Sequence, residues 1–151
     1  MLTDTLIRVF KRDLNKLKDE INAYKDEANL WLVSDGISNS AGNLCLHLVG
    51  NLNHFIGATL GNSGYVRQRE LEFSLKNVPR LEMIQQIDNT IPIVEGTLSQ
   101  LDAPDLQKEY RRNPFEDFMT TEYFLVHLTT HLSYHLGQIN YHRRLFDERK
   151  G

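Results

Sequence analysis

Residues 121–146 read TEYFLVHLTTHLSYHLGQINYHRRLF and contain four of the six histidines of the chain. An α-helix turns by about 100° per residue, so residues spaced four apart fall on one narrow stripe. Apolar residues are interleaved with that stripe, which predicts a long helix from about residue 120 or 121 to residue 146, with its histidines close to a core. The stripe consists of His127, His131, His135, Gln138 and His142.

The spacing of these histidines is rare as a chance event. With six histidines in 151 residues, a run of three at i, i+4 and i+8 is expected only about 0.01 times. Side chains four apart on a helix can converge on one ion, and imidazole nitrogen binds zinc, nickel, copper and iron well. A third histidine from a facing helix would complete a site with open coordination positions. A partly solvated helix face carrying imidazoles as mild polar groups fits the spacing equally well.

The facing histidine is expected from the other strongly apolar segment, residues 41–60. His47 and His54 lie on one line of this predicted helix, and the residues alone do not choose between them. Cys45 points about 160° away from His47 around the helix, so it is predicted to be a small core residue. Individually, His54 and His142 fit hydrogen-bonded or solvent-facing positions.

The rest of the chain follows the helical period and predicts no strand. Thr3 or Asp4 is the expected N-cap of the first helix, and Pro92 should kink the third helix or remove one of its hydrogen bonds. Four helices of this length predict an all-α four-helix bundle. The predicted helices cover about residues 3–33, 41–60, 79–101 and 120–146, with an ordered loop over 65–78 and a second connection over 104–119.

Composition fits one domain over residues 1–151 and excludes several function classes. The net charge is −3 and the basic residues are not clustered, so nucleic acid is not an expected partner. Neither a signal peptide nor an apolar run long enough to span a membrane is evident. A single cysteine excludes a disulfide within the chain and favours the cytoplasm. There is no H-E-x-x-H motif and no Gly-rich phosphate loop.

Three stretches resemble the DinB/YfiT-like superfamily. Residues 131–139 (HLSYHLGQI), preceded by residues 119–122 (MTTE), are similar to its last helix, and the H-x3-H-x-G-Q motif is the most specific part. Residues 43–51 (NLCLHLVGN) resemble its second helix, and residues 65–73 (YVRQRELEF) resemble a loop of one subgroup. The resemblance covers most of the chain.

The resemblance implies a fold, a cofactor and an assembly. Members are four-helix bundles with a long crossover connection, often homodimers, that carry a divalent metal, typically zinc or nickel, on three histidines. One ligand comes from the second helix and two come from the H-x3-H motif. The ligands implied here are His47, His131 and His135.

The resemblance also implies a chemistry, because characterised members include S-transferases that use low-molecular-weight thiols. This chain would then conjugate a small thiol to an electrophile in a metal-dependent reaction. His127 and Gln138 are candidate catalytic residues beside the metal. Arg67 and Arg69 are further candidates, which could hold a cofactor carboxylate. Two alternatives remain: a non-enzymatic metal-binding or dimerisation module, and a metal-dependent hydrolase with His127 as general base.

Overall fold

The computed structural model describes residues 1–115 and 117–147, and the regular secondary structure of these residues is helical, apart from an isolated antiparallel bridge between Glu109 and Thr120. The α-helices are α1 (Leu2–Ala23), α2 (Ala41–Leu52), α3 (Arg69–Ser74), α4 (Arg80–Ser99), α5 (Ala103–Gln107) and α6 (Thr121–Phe146). A 3-10 helix covers Glu27–Trp31, and a π-helical turn at Asn53–Ala58 continues α2. None of the helices in the described residues has both the length and the apolar character needed to cross a bilayer.

The four longest helices form a bundle. Helix α1 packs against α4 and α6, and α2 with its π-helical turn packs against the same two helices. Helices α1 and α2 therefore occupy opposite corners, as do α4 and α6. The connections over residues 24–40 and 100–120 each link diagonally opposite helices. The prediction of an all-α four-helix bundle with long crossover connections is thus confirmed.

The first helix is shorter than its apolar pattern predicts. It ends at Ala23, because Tyr24 takes an extended conformation and the carboxylate of Asp147 accepts hydrogen bonds from the backbone N–H groups of Lys25 and Asp26. The helical spacing of apolar residues in the sequence continues to Trp31, because the 3-10 helix that follows α1 also turns apolar side chains toward the core. The expected N-cap was also wrong, since α1 is capped at Met1.

The predicted loop over residues 65–78 contains a helix, α3, that lies against α2. The side chain of Asn43 on α2 donates hydrogen bonds to the carbonyl oxygens of Glu72 and Leu75, at 3.0 and 2.8 Å. These bonds satisfy carbonyl groups at the end of a helix of only six residues. Asn43 thereby fixes α3, and with it Glu72, against the middle of the bundle.

The other helix boundaries lie close to those predicted. Helix α4 runs through Pro92 as one helix. Helix α6 begins where the sequence predicts, because Thr120 Oγ1 accepts a hydrogen bond of 3.1 Å from the Tyr123 N–H. Fully buried side chains of all four long helices form the core, among them Phe10, Leu17, Leu48, Ile87 and Leu132.

Close packing at the start of α2 generates a stability prediction. A Cβ atom at Gly42 would lie 2.7 Å from ring atoms of Trp31, whereas a Cβ at Gly96 on α4 would meet nothing within 4 Å. Gly42→Ala should therefore lower the free energy of unfolding by about 1–3 kcal/mol through overpacking. Gly96→Ala should raise it by about 0.5–1 kcal/mol through helix propensity alone. Urea unfolding measures both, and equal shifts in the two variants would contradict the packing argument.

Candidate metal centre

Three imidazoles from two helices meet inside the bundle. One nitrogen from each of His47 on α2 and His131 and His135 on α6 lies within 4.8 Å of the other two. The Nε2 atoms of His47 and His131 are 3.2 Å apart. Two ligand nitrogens on a tetrahedral zinc ion are about 3.3 Å apart at ordinary bond lengths. The spacing of this pair therefore matches the geometry that a small divalent ion requires.

His47 is held by a buried carboxylate. Its Nδ1 lies 3.0 Å from Oε1 of Glu72, and both side chains are more than nine-tenths buried. An ionised carboxylate only accepts hydrogen bonds, so Nδ1 carries the proton and donates a hydrogen bond to Glu72. The lone pair of Nε2 then faces His131. This is the usual way in which an outer carboxylate orients a metal-binding histidine.

Arg67 balances the charge of that carboxylate. Its Nε donates to Oε2 of Glu72 and its Nη2 to Oε1, each at 2.9 Å. Burial on its own raises the pKa of Glu72, but hydrogen bonds from His47 and Arg67 outweigh burial and leave that pKa below its ordinary value. Glu72 is therefore ionised at neutral pH. The pair adds no net charge next to the three imidazoles.

A glycine makes room for this ion pair. A Cβ atom at Gly50 would lie within 2.0 Å of Oε2 of Glu72, so any side chain at this position of α2 would displace the carboxylate. Gly50 follows His47 by three residues and lies on the neighbouring part of the helix face. The glycine in this apolar helix allows α3 to approach α2 closely.

The other two imidazoles differ in their outer contacts. Nδ1 of His135 donates to Oε1 of Gln138 at 2.6 Å, so its Nε2 is also left as an acceptor. Gln138, a sequence candidate for a place beside the metal, thus orients a candidate ligand. Nδ1 of His131 is buried and has no hydrogen-bond partner among the described residues, and the same holds for Oδ1 of Asn51, one turn after His47.

Burial keeps the α6 imidazoles neutral. It is the main cause that lowers the pKa of His131 to about 3, and the neighbouring imidazoles act in the same direction. Burial also lowers the pKa of His135. The hydrogen bond to Gln138 opposes this shift, and a positive charge on His47 would add to it. Metal ions bind the neutral form of imidazole, so these two side chains are in the binding-competent form at neutral pH.

The remaining sequence candidates lie beside or outside this cluster. His127 packs against Phe115 and Phe124, and its ring centroid is 6.4 Å from that of His131, so it is a neighbour rather than a member of the cluster. Arg69 is exposed and lies over the ring of Phe73, which in turn contacts the His47 ring at 4.8 Å, so Arg69 is separated from the cluster by that ring.

Two further side chains named from the sequence also lie outside the cluster. Cys45 is fully buried, and burial raises the pKa of its thiol to about 12, which fits its expected place in the core. His54 is half-buried against Phe55. The facing helix therefore contributes His47, and not His54, to the cluster.

Glu72 is the side chain of the candidate centre that sequence reasoning missed. It falls in a segment interpreted as a loop, and its partner His47 is 25 residues away. One signal was available, namely Gly50. An isolated glycine inside a helical pattern often marks a close approach by another element.

The sequence profile of one protein family matches residues 3–150, that is, nearly the whole chain. Its description is "Protein of unknown function (DUF1572)". The chain belongs to this family, which is part of the DinB/YfiT-like superfamily, and the resemblance noted in the sequence is thereby confirmed. No curated protein matches the chain.

The close approach at Gly50 predicts a loss of metal affinity without loss of the ligands. Gly50→Ala displaces the Glu72 carboxylate, and Glu72→Gln removes its charge while keeping its size. Each should weaken zinc binding by about 10- to 100-fold, as loss of an outer hydrogen bond to a ligand histidine does. Competition with a chromophoric chelator measures the affinity. Gly96→Ala is the matched control and should bind like the unmodified chain, whereas unchanged affinity in both test variants would contradict the role of Glu72.

The lowered histidine pKa values predict acid sensitivity of the metal-free protein. In the unfolded chain His131 accepts a proton near pH 6.5, but in the folded chain only near pH 3. The unfolded state therefore binds more protons between these values, so stability is present above pH 6.5 and is lost as the pH falls. After allowance for partial exposure, the loss from His131 is about 1 kcal/mol between pH 7.5 and 5.5.

Urea unfolding of chelator-treated protein at these two pH values tests this expectation. The His131→Gln variant removes the titrating group at little cost in volume, so its stability should change less with pH. A fall in stability of the same size in both proteins would show that His131 does not carry the effect.

Proposed function

We propose that this chain binds one divalent transition metal ion, most suitably zinc or nickel, through His47, His131 and His135, and that it is a metal-dependent thiol S-transferase. The observation that carries the proposal is the convergence of three imidazole nitrogens within 4.8 Å. The outer contacts support it, because Glu72 and Gln138 each take a proton-bearing Nδ1 and leave Nε2 of His47 and His135 free to bind.

A site of three protein ligands with a further open position is typical of catalytic zinc centres. The ion would supply a positive charge that stabilises an incoming anion, and a thiolate is a soft anion that suits zinc or nickel. The ligand set is neutral, and the charge of Glu72 is already balanced by Arg67. The chain's own thiol does not meet this requirement, because Cys45 is buried outside the cluster. A diffusible low-molecular-weight thiol is therefore the expected sulfur donor.

In the proposed transfer, the thiol sulfur forms a bond to an electrophilic carbon, and the leaving group departs with the bonding electron pair. The thiol proton passes to solvent, with His127 as the neighbouring imidazole that can accept it on the way. Glu72 and Gln138 hold two imidazoles in a fixed tautomer throughout. Arg67 already makes a two-point contact with Glu72 through Nε and Nη2, which favours a role in positioning over the capture of a cofactor carboxylate.

Two expectations about the protein as a whole stay predictions. One is a homodimer, which follows the habit of the superfamily. The other is a location in the cytoplasm, which rests on the single, buried cysteine. Neither is needed for the chemistry of the three imidazoles.

Metal content gives the first test of the function. Purified protein dialysed against zinc or nickel should hold one ion per chain by elemental analysis. His131→Ala removes one of three ligands and should abolish stoichiometric binding, whereas His54→Ala, on the same helix line as His47, should leave it unchanged. A chain that stays metal-free under these conditions, or that loses metal equally in both variants, contradicts the proposal.

The same proteins then test the chemistry. With L-cysteine as the thiol and 1-chloro-2,4-dinitrobenzene as the electrophile, metal-loaded protein should accelerate conjugation above the spontaneous rate. Chelation or His47→Ala should remove that acceleration. Metal-dependent turnover of 4-nitrophenyl acetate without any thiol, abolished by His127→Ala, would instead favour the hydrolase. Full metal binding with neither activity would favour a non-enzymatic metal-binding module.

A further inference from the structure

A cleft of about 460 Å³ lies directly beside the candidate metal centre. It is formed by residues 36–39 of the connection between α1 and α2, by Leu44 at the start of α2, and by the C-terminal half of α6. His135 and Gln138 line it, so the cleft and the three-histidine cluster share one imidazole. Its volume falls within the range of small-molecule sites.

The lining of the cleft is neutral and partly aromatic. Among the described residues it contains no Asp, Glu, Lys or Arg, and the side chains of Tyr134 and Tyr141 contribute aromatic rings. Arg144 stacks on the ring of Tyr141, with its guanidinium carbon 5.3 Å from the ring centroid, and does not line the cleft. A charged ligand would lose its hydration here without gaining a counter-charge. An uncharged ring would keep the stacking and apolar contacts.

His142 brings a buried polar ring to the lining of the cleft. His142 is 6% exposed, and its Nδ1 has no hydrogen-bond partner among the described residues. A buried nitrogen of this kind costs stability unless something pairs with it. The residue lies one turn beyond Gln138 on α6 and lines the cleft. Nδ1 is closed off from solvent in this structure, so a polar group on an occupant at the end of the cleft away from the cluster would supply the missing partner once the imidazole ring turns toward it.

From these features we infer that the cleft is the binding site for the electrophile, and that the electrophile is an uncharged aromatic molecule with a polar group that hydrogen-bonds His142. This inference rests on the proposed function, because it assigns the substrate class of the same centre. The aromatic body lies between the 36–39 loop and α6. Its reactive carbon then points past His135 toward the cluster.

Binding to metal-free protein tests the cleft separately from the metal chemistry. The probe is 4-nitrobenzamide, with 4-nitrobenzoate as its charged counterpart of the same shape. Titration followed by NMR should give a dissociation constant of about 1 mM for the amide, which is reasonable for a ligand of this size. The benzoate should bind at least tenfold more weakly. The imidazole signals of His142 and His135 should shift with the amide, and that of His54 should not.

Two variants with a matched control locate the site. Leu145→Trp fills the cleft from a partly exposed position and should weaken amide binding at least fivefold, whereas Leu81→Trp on the exposed face of α4 should not change it. His142→Phe keeps a ring but removes the nitrogen, and should weaken binding by about fivefold. Circular dichroism verifies that each variant folds.

The outcomes of these experiments separate the assignment of the cleft from the proposed metal function. Amide binding that is insensitive to Leu145→Trp and His142→Phe, or tighter binding of the benzoate, overturns the assignment of the cleft. Cleft binding as expected in a chain that takes up no zinc or nickel keeps the site but refutes the proposed metal function. Metal binding as expected with no amide binding refutes the cleft alone.

Discussion

The structure depends on the packing of α2 against α6. His47 of α2 lies beside His131 and His135 of α6. Phe55, about two turns later in the π-helical turn that continues α2, contacts Phe124 near the start of α6. The two helices are therefore antiparallel, and a one-residue shift between them would separate the imidazoles. The aromatic contact opposes such a shift, because the Phe55 and Phe124 rings pack edge to face at 5.1 Å.

The buried ion pair shows how a short helix serves a site without adding much stability. Removing Glu72 and Arg67 from water is costly, and a buried pair of this kind is often no better than apolar residues for stability. Here the pair fixes one proton on Nδ1 of His47. The arrangement requires a glycine on α2, an anchoring asparagine in the same helix and a helix of six residues that carries the carboxylate. These features are explained better by the imidazole they orient than by folding stability.

The early end of α1 has a consequence for the site. Because the helix stops at Ala23, the chain crosses the bundle as a connection over residues 24–40 and reaches α2 from the opposite corner. Gly36 adopts a positive φ of 80°, which glycine tolerates without strain, and the loop turns there beside the C-terminal half of α6. A first helix extended to residue 33 would leave only residues 34–40 both to cross the bundle and to form that wall of the cleft. The capping of residues 25 and 26 by Asp147 thus shapes both the fold and the pocket.

The sequence by itself determined the helices and the histidine stripe, since both follow from the helical period within one segment. It also assigned Cys45 to the core, through its position on α2 relative to His47. Three features needed the tertiary structure: the choice of His47 over His54 on geometric grounds, the role of Glu72, and the cleft lined by His142, whose Nδ1 has no hydrogen-bond partner among the described residues. Each depends on which segments distant in sequence come together. The physical reason is that the local period of apolar residues sets which face of a helix is buried. The register of that face and the residues it contacts are set by side-chain packing between helices and by the hydrogen bonds that end α1.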